Sequence, residues 1–70
     1  MMIKCYSLPN CPMCEMLKEK LYEKTISFEE IQDTEILRSK NISHVPCIEV
    51  NGLILKFAEA LKWVNNYGND

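Results

Sequence analysis

Apolar positions along this 70-residue chain change spacing in a regular order, and each change marks an element. Ile3 to Ser7 is a short mixed run that breaks at Leu8-Pro9-Asn10, which predicts a strand followed by a turn. Pro12 suits a first helical position, because the N–H it lacks has no partner there anyway. Leu17 and Leu21 then recur at helical spacing, with Met13 and Met16 extending the stripe. Glu15 with Lys18, and Glu19 with Glu23, fall on the opposite flank as a solvated face, and Lys24-Thr25 marks the exit.

Ile26 and Phe28 alternate with Ser27 and Glu29, which predicts a second strand, and Glu29-Glu30 give it the charged character of an outer strand. Asp33 can accept from the free amides of a short helix over Thr34 to Lys40, and Asn41 tolerates the left-handed conformation that ends one. Cys47 to Val50 and Leu53 to Leu55 flank Asn51-Gly52, the pair that favours a type I′ hairpin turn. From Phe57 onward, Phe57, Leu61 and Val64 share a helical face flanked by Ala60 and Tyr67, until Gly68 stops the run. The expected order is β-α-β-α-β-β-α: an α/β fold in which a crossover makes a parallel pair and a hairpin adds antiparallel strands. No repeat, linker or low-complexity segment interrupts it, so residues 1–70 are expected to form a single domain, here taken as a monomer.

Composition narrows the function. Eight basic and ten acidic side chains leave a net charge of −2, with no electrostatic footprint for nucleic acid or an anionic membrane. No segment approaches the roughly 18 apolar residues of a membrane span, and Met1-Met2-Ile3-Lys4-Cys5-Tyr6 lacks a signal-peptide pattern, so the expected compartment is the cytoplasm. Cysteines there are rarely structural cross-links, and the four in this chain call for catalysis or metal binding.

Cys11 and Cys14 carry the strongest signal, in the motif C-P-M-C. With Pro12 starting a helix, Cys11 sits at its mouth, where unpaired amides stabilise an anion; Cys14 lies about one turn inward, within bonding reach. Lowering a thiol pKa from about 8.5 to about 6.5 raises the thiolate fraction at pH 7 from about 3% to about 75%. Intrinsic nucleophilicity falls by about tenfold at the same time, so attack gains only about 2.5-fold. The larger benefit is that Cys11 becomes a good leaving group when Cys14 resolves a mixed disulfide. A purely structural cross-link is a poor explanation, because stabilisation grows with the loop enclosed and this loop is tiny. The alternative is a zinc-binding structural domain, with Cys11, Cys14, His44 and Cys47 as four ligands of types zinc accepts. Against it, such domains commonly fold only around their metal, whereas here three amphipathic helices and a hairpin offer a core.

Taken together, Tyr6-Ser7 before C-P-M-C, Asn41-Ile42-Ser43-His44-Val45-Pro46 before the hairpin, and Val50-Asn51-Gly52 within it resemble a glutaredoxin-like member of the thioredoxin superfamily. That resemblance implies a thioredoxin-like fold, a four-stranded mixed sheet with helices on both faces. It also implies a thiol–disulfide oxidoreductase that reduces protein disulfides through a Cys11/Cys14 cycle. Pro46 would be a cis-proline beside the redox pair, Val45 would offer its backbone to substrate, and Pro12 and Met13 would touch substrate. No cofactor would be bound. Electrons would come from glutathione or a thioredoxin-reductase-like flavoprotein, and the partner would be a protein disulfide such as that of ribonucleotide reductase.

The chain departs from glutathione-using relatives at the glutathione seat. Leu8 stands where they usually carry a lysine, and Lys56-Phe57-Ala58-Glu59 replaces a glycine pair at the last helix. His44 stands where a threonine is usual, and as an isolated histidine it is read as a polar loop residue. Cys5 and Cys47 are read as small buried residues, and Trp63 and the methionines as packing residues, with Met13 also near substrate.

Overall fold

The computed structural model describes residues 2–68; Met1, Asn69 and Asp70 of the expected 1–70 domain lie outside the described residues. The elements are β1 (Ile3–Tyr6), α1 (Pro12–Glu23), β2 (Glu29–Ile31), α2 (Thr34–Ser39), β3 (Cys47–Val50), β4 (Leu53–Leu55) and α3 (Phe57–Asn66). The expected order is therefore observed. The strands form a single sheet in the order β2-β1-β3-β4, with β1 parallel to β2 and antiparallel to β3. Among the described residues, no helix is long and apolar enough to cross a membrane.

Alternation along the central strands divides the interior in two. Ile3 and Cys5 of β1 with Ile48 and Val50 of β3 face Leu17 and Leu21 of α1 and Ala60 and Val64 of α3. Tyr6 and Cys47 point the other way, against Leu37 of α2. Helices thus cover both faces, and the sheet's centre is wet on neither. Phe57 and Leu61 pack against the first cluster on the face they share with Val64, as their helical spacing anticipates, and Trp63 packs there as well.

Three sequence expectations need correction. The second strand starts at Glu29, not at Ile26. Ile26 is buried because it closes the end of α1: its N–H donates to the Leu21 carbonyl (3.0 Å) and Thr25 donates to Tyr22 (2.9 Å), the paired bonds of a Schellman cap. Met13 and Met16 do not extend the buried stripe; they are 45% and 48% exposed, because the face of α1 that meets the sheet is the one carrying Cys14, Leu17 and Leu21. Lys18 does not belong to a freely solvated flank. Its side chain is only 11% exposed, with Nζ 2.7 Å from Glu30 and 3.0 Å from Glu15.

Thr25 adopts φ +57°, the left-handed conformation that a β-branched residue tolerates poorly. At the equivalent place after α2, Asn41 does so at φ +59° with the same pair of cap bonds, and asparagine suits the role. Thr25→Gly is therefore expected to raise stability by about 0.5–1 kcal/mol, the left-handed penalty relieved less the extra unfolded-state freedom of glycine. Thermal denaturation should show the midpoint rising by about 4 °C, and an unchanged or lower midpoint would refute the strain.

Candidate active site

The chain reaches the site through a turn at Pro9-Asn10, where Asn10 has φ +58°. Beyond it Cys11 takes the N-cap position of α1 with extended backbone (φ −120°, ψ 101°), and Pro12 fills the first helical position. The Cys11 carbonyl accepts from Glu15 N–H (3.1 Å) as the first helical bond, and Cys11 Sγ accepts from Cys14 N–H at 3.1 Å. A cysteine sulfur thus occupies the place that serine or aspartate oxygens usually hold at a helix start. Cys11 and Cys14 are joined in a disulfide, with their Cα atoms 5.2 Å apart. The two sulfurs are not equivalent, because Cys11 is partly exposed whereas Cys14 is fully buried.

The Val45–Pro46 peptide is cis, as the resemblance implied. Pro46 is among the most deeply buried residues, and its loop forms one wall of a groove of about 810 Å³. Met13, Ile42, Val45, Pro46, Ile54 and Phe57 give the groove an apolar lining, and Lys40, His44, Lys56 and Glu59 place polar groups around it. The structure therefore brings Met13, Val45 and Pro46 to one cleft, with Met13 lying between the two cysteines in sequence. Leu8 packs instead on the side of the Tyr6, Leu37 and Cys47 cluster.

The remaining thiols are poor nucleophiles by their surroundings. Cys5 is pushed up to about 12 by burial, reinforced by the Glu30 carboxylate and opposed by Lys18. Burial also raises Cys47, partly offset by the positive charge of Lys56, and its Sγ donates to the His44 carbonyl at 3.1 Å. That bond turns Cys47 toward the backbone of His44. Among the described residues no three His, Cys, Asp or Glu side chains come together in a way that could hold a metal ion, so the set Cys11, Cys14, His44 and Cys47 is not assembled. The zinc alternative thereby loses its geometric basis.

Sequence reasoning missed a polar cluster at the end of the parallel pair. Fully buried Ser7 donates to Glu30 Oε2 (2.8 Å), the same oxygen that receives Lys18 Nζ, and Gln32 donates to both Ser7 and Glu30. Lys18 and then Ser7 hold the Glu30 carboxyl below its usual range. A second such contact joins Tyr6 to Glu49 Oε1 (2.6 Å), which also meets Lys40 (3.1 Å) at the groove wall. The signal lies in strand pairing, not in spacing: Cys5 stands opposite Glu30, and Lys4 opposite Glu49. Single-chain periodicity does not carry that information.

Known proteins agree with this geometry. The glutaredoxin family model matches residues 3–55. An uncharacterized glutaredoxin-like 8.6 kDa protein in the rubredoxin operon of Clostridium pasteurianum is 39% identical over 61 residues, covering 77% of this chain and 81% of that protein. Among solved structures, the glutaredoxin-like protein NrdH-redoxin from Escherichia coli, described there by its thioredoxin-like activity profile, superposes with a TM-score of 0.77. It is 20% identical, and the match covers 100% of this chain and 99% of the other. The thioredoxin-like protein BC3987 gives a TM-score of 0.73 at 26% identity, covering 91% and 94% of the two chains. A redox-type cysteine pair at a helix start, a cis-proline loop lining a groove with Met13, a four-stranded mixed sheet with helices on both faces and a family match over most of the length converge: the chain belongs to the glutaredoxin family.

Proposed function

We propose that this protein is a dithiol oxidoreductase that reduces protein disulfides, with Cys11 as the attacking thiolate and Cys14 as the resolving thiol. The observation that carries the reading is the asymmetry of the pair. Cys11 Sγ sits partly exposed at the N-terminus of α1 and accepts from Cys14 N–H, while Cys14 is fully buried. In the first step the Cys11 thiolate attacks one sulfur of the substrate disulfide; that S–S bond breaks, and the other substrate sulfur leaves and takes up a proton. In the second step Cys14 gives up its proton and attacks Cys11 Sγ, forming the Cys11–Cys14 disulfide and releasing the second substrate thiol. Two electrons pass to the substrate. The helix terminus helps the return reaction as well, because it stabilises Cys11 as the leaving thiolate when a donor attacks the disulfide.

Pro12, Met13, Val45 and Pro46 would contact the substrate, since all border the sulfurs or the adjoining groove. The lining favours a polypeptide over glutathione: Met13, Ile42, Val45, Ile54 and Phe57 offer apolar surface, and Leu8 leaves no cation at the position of the family's lysine. A thioredoxin-reductase-like flavoprotein is accordingly the favoured electron donor, and a protein such as ribonucleotide reductase the kind of acceptor. The test is NADPH oxidation during reduction of a protein disulfide by the oxidised protein, with thioredoxin reductase in one reaction and glutathione plus glutathione reductase in the other. Turnover in the first and little in the second is expected. No turnover with either, or with dithiothreitol as donor, would end the oxidoreductase reading.

A further inference from the structure

We infer that Asn10 is a positioning residue of the dithiol centre, holding Cys11 in the N-cap seat by its left-handed backbone and not by any contact of its side chain. This rests on the proposed role of Cys11 and adds a residue to it. The described chain has four non-glycine residues at positive φ: Asn10, Thr25, Asn41 and Asn51. Thr25 and Asn41 close helices and Asn51 opens the hairpin turn, so each has an ordinary architectural duty. Asn10 stands at neither kind of place. It lies in the turn between β1 and α1, directly before the cysteine whose sulfur caps α1.

Pro9 and Asn10 form the pattern of a turn that needs a positive φ at its second central residue, with proline suited to the first. Past that residue the chain must reverse so that Cys11 is extended and its Sγ points back at the Cys14 N–H. The Asn10 side chain is exposed and makes no hydrogen bond among the described residues. What asparagine supplies is therefore tolerance of φ +58°, where other side chains crowd the backbone. A β-branched residue here would drive the turn toward negative φ and swing Cys11 away from the free amides. In the reduced protein that movement removes a hydrogen bond to a thiolate. The loss weakens the charged form specifically, so it appears in the pKa of Cys11 and not only in stability.

The experiment measures the pH profile of Cys11 alkylation by iodoacetamide in the reduced protein; Cys5, Cys14 and Cys47 are buried and report slowly. Asn10→Val is expected to raise the Cys11 pKa by about one unit, the size that follows from losing one hydrogen bond to an ionised group. Asn10→Ala should raise it less, and Asn10→Gly, which accepts positive φ freely, should keep the wild-type value. If the valine variant is unstable, the comparison of alanine with glycine carries the decision. An unchanged pKa in variants that lose only stability would overturn the inference. So would a glycine variant shifted as far as the alanine and valine variants, since the amide group would then be the active feature. A wild-type thiol that titrates at the ordinary value of about 8.5 would sink the reading of Cys11 as an activated nucleophile, while the difference between the valine or alanine and glycine variants still decides the role of Asn10.

Discussion

Cys14→Ser is expected to accumulate as a covalent complex with its protein substrate, whereas Cys11→Ser should neither turn over nor trap. The two cysteines are three residues apart, and their structural positions differ in the two properties that decide attack. Cys11 has access to solvent and a hydrogen-bond donor aimed at its sulfur; Cys14 is fully buried and faces the sheet with Leu17 and Leu21. An incoming disulfide must place its sulfur in line with the attacking thiolate, and only Cys11 offers such a path. With Cys11 as the nucleophile, Cys11→Ser should abolish measurable disulfide reduction, because no other thiol is placed to form the covalent intermediate. Removing Cys14 leaves the first step intact and eliminates the second, so the intermediate persists until an external thiol releases it. Non-reducing electrophoresis with intact-mass measurement reads the adduct directly. Equal trapping by both variants would dissolve the assignment of roles.

The parts of this fold that were legible in the sequence are those set by local chemistry. Pro12 at a helix start, Asp33 accepting from Glu35 N–H (2.9 Å), Asn41 ending α2 and Asn51-Gly52 in the hairpin each act within a few residues. The same is true of Cys11 and Cys14, whose relation depends on one helical turn. What was not legible depends on which strand pairs with which. Ile26 looks like a strand residue by alternation, but Thr25 turns it into the hydrophobic stopper of α1. Lys18 looks solvated by helical spacing, yet β2 brings Glu30 over it and leaves the ammonium mostly covered. Met13 and Met16 fit an apolar stripe in sequence, although the sheet meets α1 along Cys14, Leu17 and Leu21. The cis state of Val45–Pro46 came only from resemblance, because about 5–6% of X–Pro bonds in folded proteins are cis and no local residue type specifies it.

Glutathione is expected to reduce the Cys11–Cys14 disulfide slowly, and the double variant Leu8→Lys with Lys56→Gly to be reduced about tenfold faster. Glutathione-using members of the family place a lysine where Leu8 stands, and a charge-assisted contact of that kind contributes roughly 1.5–3 kcal/mol, or about 10- to 150-fold in affinity. Leu8 is half-buried against the Tyr6, Leu37 and Cys47 cluster, so a lysine stem can replace its packing while the ammonium reaches solvent. On the groove itself, Lys56 is the N-cap of α3, and its N–H already donates to Glu59 Oε1 at 3.3 Å. The helix terminus that would meet a glutathione carboxylate therefore carries a carboxylate of its own, which costs part of the gain and keeps the expectation at the low end of the range. Glycine at position 56 opens the backbone for approach. Phe57 is left in place, because it packs against the core formed by α1, α3 and the sheet and its removal would confuse affinity with stability. The measurement is the second-order rate of disulfide reduction by glutathione, divided by the rate with the neutral thiol 2-mercaptoethanol, which corrects for any change in the disulfide itself. A wild-type ratio already as high as that of an ordinary glutaredoxin, with no gain in the variant, would show that glutathione enters by another route than the groove between the cis-proline loop and α3.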